Sequence, residues 1–196
     1  GILTRPQFDG RASGTIGTER LGMAGLRVGD GRVRLAETTL TLDLSHDAPR
    51  WQVTGPARLS MARVDSEAFS GQSVVLATTR LDAGGRDGRF EVTGPWQATA
   101  GTLISGDLVL GRISGELAVD LVSDGGLTVT GRAAAEQGRW PLLGPASGDD
   151  LSELAAMKAA LGDFRIEAPG LTYRSGAGGG RLDLPRPVAI RPRNGG

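Results

Sequence analysis

Glu116–Ala135 reads ELAVDLVSDGGLTVTGRAAA. Leu117, Val119 and Leu121 alternate with Ala118, Asp120 and Val122, Ser123–Gly126 interrupts the run, and Leu127 and Val129 resume it. Alternation with a period of two, a turn cluster, and alternation again is the pattern of a β-hairpin. Its closing tripeptide, Val129-Thr130-Gly131, recurs as Val92-Thr93-Gly94 and Val53-Thr54-Gly55, at spacings of 37 and 39 residues. An acid precedes each valine by 9 or 10 residues: Asp120, Asp82 and Asp43. These three units, roughly 38–55, 73–94 and 116–131, make the chain a series of reused β elements. The tryptophans Trp51, Trp96 and Trp140 do not keep the register of the units.

Working outward, Thr38–Ser45 (TTLTLDLS) places Leu40, Leu42 and Leu44 on one face. After the turn His46-Asp47-Ala48-Pro49, Trp51 and Val53 continue that face until Gly55-Pro56 ends it, and Leu59 and Met61 start another strand. Ser73–Leu81 is β-branched and strand-like. Residues 83–88 read as a loop, Phe90 and Val92 as a strand that Gly94-Pro95 breaks, and Leu108 and Leu110 as part of the next. Gly111–Gly115 joins it to the Glu116 hairpin, and Gly101 and Gly106 mark bends or bulges. Near the start, Gly29-Asp30-Gly31 reads as a turn between Leu26–Val28 and Val33–Leu35.

Residues 150–161 (DLSELAAMKAAL) differ. Leu151, Leu154, Met157 and Leu161 have helical spacing, Asp150 and Glu153 resemble a capping box, and Gly162 is a stop. This predicts one short helix. Four short strands follow, around Phe164, Leu171, Leu182 and Val188, and the prolines at 185, 187 and 192 confine the last of them to edges. The expected fold is mostly β: an extended, twisted antiparallel sheet of repeated strands about six residues long, forming a groove, with one helix.

Composition narrows the function. Among 196 residues there are 32 glycines, 22 basic and 22 acidic side chains, and no cysteine. The charges are interspersed with no basic stripe, which argues against nucleic acid. Without cysteine there are no disulfides or thiolate metal sites. No apolar run is long enough to span a bilayer as a helix. With its start at Gly1 and its Arg-Pro-Arg-Asn-Gly-Gly end, the chain reads as a piece of a longer polypeptide.

Sites for chemistry are weakly signalled. His46, the only histidine, lies beside Ser45 and Asp47, with no nucleophile motif around it, and reads as a turn residue. Asp149 and Asp150 suit the start of the helix better than acid–base catalysis. Gly176–Gly180 lacks the Lys-Ser/Thr ending of a phosphate loop. Asp43, Asp82 and Asp120 sit at repeat positions, where a structural role is the simpler reading. Neither a cofactor nor a metal is expected, and the chain reads as a non-enzyme.

Glycine-punctuated amphipathic strands, rich in arginine and free of cysteine, resemble the AsmA-like and TamB-like envelope proteins. FRIEAPGLTYRSGAGGGRLDLPRPVAI (Phe164–Ile190), following the helix, most resembles the YdbH type, assigned to intermembrane phospholipid transport in Gram-negative bacteria. The resemblance implies a periplasmic segment of a long β-groove, anchored in the inner membrane through a region outside this chain. Its implied partners are phospholipid, other segments of the same chain and both membranes.

The residues expected to line the groove are Leu40, Leu42, Leu44, Trp51, Val53, Phe90 and Val92 in the first half. In the second they are Leu108, Leu110, Leu117, Val119, Leu121, Leu127 and Val129. A closed core would use the same residues. A structural or adhesive β-solenoid is the alternative function, and a carbohydrate-active β-solenoid, which needs clustered carboxylates, is the third.

Overall fold

The structure, a computed structural model, describes residues 7–23, 26–43, 49–140, 163–176 and 179–193. It is one open antiparallel sheet. Eight strands follow one another in chain order: β1 (Gln7–Met23), β2 (Leu26–Asp43), β3 (Arg50–Asp65), β4 (Ser70–Arg86), β5 (Arg89–Ser105), β6 (Leu108–Val122), β7 (Gly126–Arg139) and β8 (Phe164–Gly176). Two short strands, β9 (Gly179–Asp183) and β10 (Ala189–Pro192), share the far edge of β8. The predicted helix at 150–161 lies outside the described residues.

The strands are far longer than expected. Gly55-Pro56 and Gly94-Pro95 do not break strands; they lie inside β3 and β5. Gly29-Asp30-Gly31 lies inside β2, and Gly111–Gly115 inside β6. Residues 83–86 belong to β4, and the turn is only Asp87-Gly88, both with positive φ (54° and 76°). That is the two-residue hairpin chemistry in which Asp-Gly supplies two left-handed residues. The strands expected around Phe164 and Leu171 are one, β8, so three strands, not four, follow residue 163, and Leu184 lies just past β9. The hairpin read from Glu116–Ala135 is present as β6 and β7, paired Leu121↔Leu127 and Val119↔Val129.

What looked like strand ends are bulges. The register slips between Leu35 and Thr39 against β3, between Gly55 and Ala57 against β4, between Ala77 and Asp82 against β5, and between Gly131 and Ala133 against β8. In each case the extra residue sits on β2, β4 or β8, opposite or next to a Val-Thr-Gly glycine of β3, β5 or β7. The repeat is thus a line of bulges crossing the sheet. The glycines are required there: a Cβ on Gly94 would stand 2.7 Å from the Arg80 carbonyl oxygen, and one on Gly131 would overlap that of Glu116. Two buried threonines satisfy the freed backbone groups. Thr38 Oγ1 donates to the Pro56 carbonyl at 2.9 Å, and Thr78 Oγ1 accepts from the Arg80 N–H at 3.0 Å. Without such partners each buried group would cost about 1–3 kcal/mol.

Bulges bend a sheet and tighten its twist. With about 20–25° between neighbouring strands, four steps turn β8 roughly 90° from β4. The β3–β4 turn consequently reaches back over the sheet. The Phe69 ring meets the Tyr173 ring of β8 edge-on, with centroids 5.6 Å apart. The sheet is curled, with the face that bears Tyr173 on its concave side.

Candidate functional site

Residues directly opposed in an antiparallel ladder project to the same face, so the registers trace rows across the sheet. One runs Leu42, Trp51, Gly85, Phe90, and the next Leu40, Val53, Ala83, Val92, Leu121, Leu127, Ser175. Another joins Gly94, Val119, Val129, Tyr173 and Leu182, and a fourth Trp96, Leu117, Gly131 and Leu171. Eleven of the fourteen nominated residues thus share one apolar face, the concave one. Residues between them carry Thr, Asp, Glu, Gln and Arg to the convex face, where Arg132 pairs with Glu116 at 2.6 Å and Arg165 with Glu136 at 3.2 Å.

Leu110 joins the same face by a route alternation does not give. Counting by twos from Ile113 sends it to the polar side. A second line of irregularities intervenes, marked by positive φ at Asp30, Ser73 and Arg112 in β2, β4 and β6. Beyond it the inward residue is three positions on, not two, and the row runs Val28, Val64, Gly71, Leu103, Leu110, Gly138, Phe164. Val64 and Phe164 are buried while Arg63 and Gln72 beside this row are exposed, and the Phe164 ring covers Gly138. Leu108 lies at the β5–β6 turn opposite Ser105. Leu44 falls outside the described residues, as do His46, Asp149 and Asp150.

The face has a centre and margins. Ala57, Leu81, Ala83 and Trp96 form a buried cluster, with Leu35, Val53, Leu76, Val92, Leu117 and Val119 packed around it. Toward the margins Trp51 is 37% exposed and Leu182 52%. Among the described residues all strands belong to the one sheet, and the β3–β4 turn reaches over it at β8 and β9. Many of the apolar side chains on this face remain half-exposed, while Val64, Phe164 and Tyr173 are buried.

Three aromatic rings lie down on glycines of the adjoining strand: Trp51 over Gly85, Phe164 over Gly138 and Tyr173 over Gly180. A Cβ on Gly85 would come 2.5 Å from Trp51 Nε1. Ring-on-glycine packing shields backbone that has no side chain of its own. Trp96, Phe164, Tyr173 and Val64 were not nominated from the sequence. The signal available was the set of glycines aligned against aromatics, which becomes visible only once strands are paired.

The polar groups on this face are few. Trp96 Nε1, Tyr173 Oη and Ser175 Oγ are buried and have no hydrogen-bond partner among the described residues. The β3–β4 turn that carries Phe69 is tightly held. Ser66 Oγ accepts from the Ala68 and Phe69 N–H groups at 3.1 Å, and the Ser70 hydroxyl donates to Asp65 at 2.6 Å. That bond and the Arg63 guanidinium hold the Asp65 carboxyl below its usual range.

On the convex face Asp82 and Asp120 flank Thr93 in one row, while Asp43 lies several strands from Asp120. Gln52 Nε2 donates to Asp82 at 3.0 Å. No group of three acids or histidines among the described residues is placed to hold a metal ion. Gly176, Gly179 and Gly180 belong to the β8–β9 hairpin. No helix of the described residues is long and apolar enough to cross a membrane.

No protein-family model matches the chain, and neither does any curated protein or solved structure.

Proposed function

We propose that the chain is a segment of a bridge-like protein of the Gram-negative envelope, whose concave β-face shields phospholipid acyl chains as they move between the inner and outer membranes. One observation supports the reading: a single sheet whose apolar face is continuous across seven strands, β2 to β8, with no second sheet among the described residues. Water on such a face is unfavourable by about 25 cal/mol per Å² of apolar surface. A tail laid along it would remove that contact for both partners.

The dimensions suit this cargo. Strands lie about 4.8 Å apart, so a row across seven of them is roughly 29 Å long. One acyl tail occupies about half of a bilayer core of ~30 Å. The open margins leave the head group in water, which is the arrangement a transported amphiphile needs. No bond is made or broken. A solenoid module would stack coils around a filled interior, and the in-order antiparallel meander favours the groove over that alternative.

The test is native mass spectrometry of the chain purified from a Gram-negative host in a mild detergent. Bound phospholipid, displaced by added diacyl lipid, is expected. A protein that stays lipid-free and takes up none on addition would overturn the proposal.

A further inference from the structure

We infer that the Tyr173 and Ser175 hydroxyls form a hydrogen-bonding subsite, at the β8–β9 margin of the groove, for the ester carbonyls of a diacyl lipid. The inference rests on the groove reading and deepens it. Tyr173 is 6% exposed and Ser175 7%, and neither Tyr173 Oη nor Ser175 Oγ has a partner among the described residues. Buried hydroxyls are ordinarily bonded, so two unpartnered ones two residues apart on an otherwise apolar face ask for a ligand.

They serve one spot. Ser175 is directly opposite Gly180, and the Tyr173 hydroxyl lies against the position a Gly180 Cβ would take. The Phe69 ring, edge-on at 5.6 Å, fixes the tyrosine ring and thus the direction of its hydroxyl. In register, Leu127 and Val129 lie beside these two residues, so an apolar chain runs directly up to them.

The charge nearby selects the acceptor. A Glu67 carboxylate oxygen is 2.7 Å from the position of a Cβ on Gly179, the next residue. A negative group there disfavours a phosphate and leaves neutral acceptors. In a diacyl lipid the neutral acceptors closest to the tails are the two ester carbonyls, and the subsite offers two hydroxyl donors. Tails on the apolar floor, carbonyls at its margin and head group outside follow the polarity of the lipid itself.

The test compares a short-chain diacyl phosphatidylcholine with its dialkyl ether analogue, which lacks both carbonyls, by titration calorimetry on the intact chain. The expected result is that the unaltered protein binds the diester about tenfold more tightly than the diether, as two weak hydrogen bonds would give. The double variant Tyr173→Phe/Ser175→Ala should bind both lipids alike, at the diether's affinity. Tyr173→Phe keeps the ring over Gly180 and against Phe69, and Ser175→Ala alone, which should narrow the preference by half or more, guards against misfolding of the pair. Equal affinity of the unaltered protein for both lipids would overturn the subsite and leave the groove standing. Binding of neither would overturn both.

Discussion

Ala57, Leu81, Ala83 and Trp96 at the centre of the apolar face are covered by neighbours from several strands. At its margins Trp51, Leu40, Leu182 and Ile190, on the same face and of the same chemical kind, stand exposed. The centre buries enough side chain to hold the curl, and a residue there is felt through stability. These four exposed positions add little to folding and are free to meet a ligand. One sheet with one pattern thus divides its labour by position along and across the rows, not by residue type.

The sharpest way to break this distinction is a matched pair of truncations. Trp96→Ala should destabilise the chain by about 3–5 kcal/mol, read from urea unfolding, because a large side chain leaves a cavity in the packed cluster. Trp51→Ala should cost about 1 kcal/mol or less and lower lipid uptake instead. Similar losses of stability at both positions would erase the difference between centre and margin.

Glycines offer a second comparison. Gly131→Ala pushes a Cβ onto the Glu116 carbonyl and should cost about 2–3 kcal/mol in thermal unfolding. Gly10→Ala, where nothing lies within 4 Å, should stay within about 0.5 kcal/mol. Equal effects would mean that the bulge line is not what the Val-Thr-Gly glycines are for.

The repeat shows how far the sequence could be read. The alternation of Leu117–Val129 was enough to place the β6–β7 hairpin and to put Leu40, Val53, Val92 and Val119 on one face. The fold class followed from it. Strand length did not, because Gly-Pro after Val-Thr reads locally as an end. The residue opposite, on another strand, decides whether it ends or bulges. The same limit hid Leu110's route to the apolar face: the kink at Arg112 is a positive φ on a residue that rarely adopts one. Tyr173 could be read as a strand residue, but its meeting with Phe69 depends on twist summed over four strands. Alternation also placed Asp82 and Asp120 on the polar side, and their shared row across Thr93 appears only once the strands are paired.

Two smaller effects sharpen the contrast further. Leu182→Asp, at a 52% exposed position on the apolar face of β9, should change stability by less than about 1 kcal/mol yet reduce co-purifying phospholipid in native mass spectra. An unchanged lipid load would place the track elsewhere. The smallest effect concerns the turn that carries Phe69. Folding lowers the Asp65 pKa, first through the Ser70 hydroxyl and then through Arg63. Its contribution is therefore present above the unfolded-state pKa and fades as pH falls through the folded one. Asp65→Asn should flatten that acid limb of a melting-temperature profile and leave the neutral region little changed.

From β1 to β8, strand order along the sheet equals order along the chain. Each hairpin can therefore dock on the one made before it, with no later segment needed to complete an earlier pair. A gene that gained or lost two strands would lengthen or shorten the ribbon without re-registering the remainder. The length of the ribbon then becomes a quantity adjustable in steps of a hairpin.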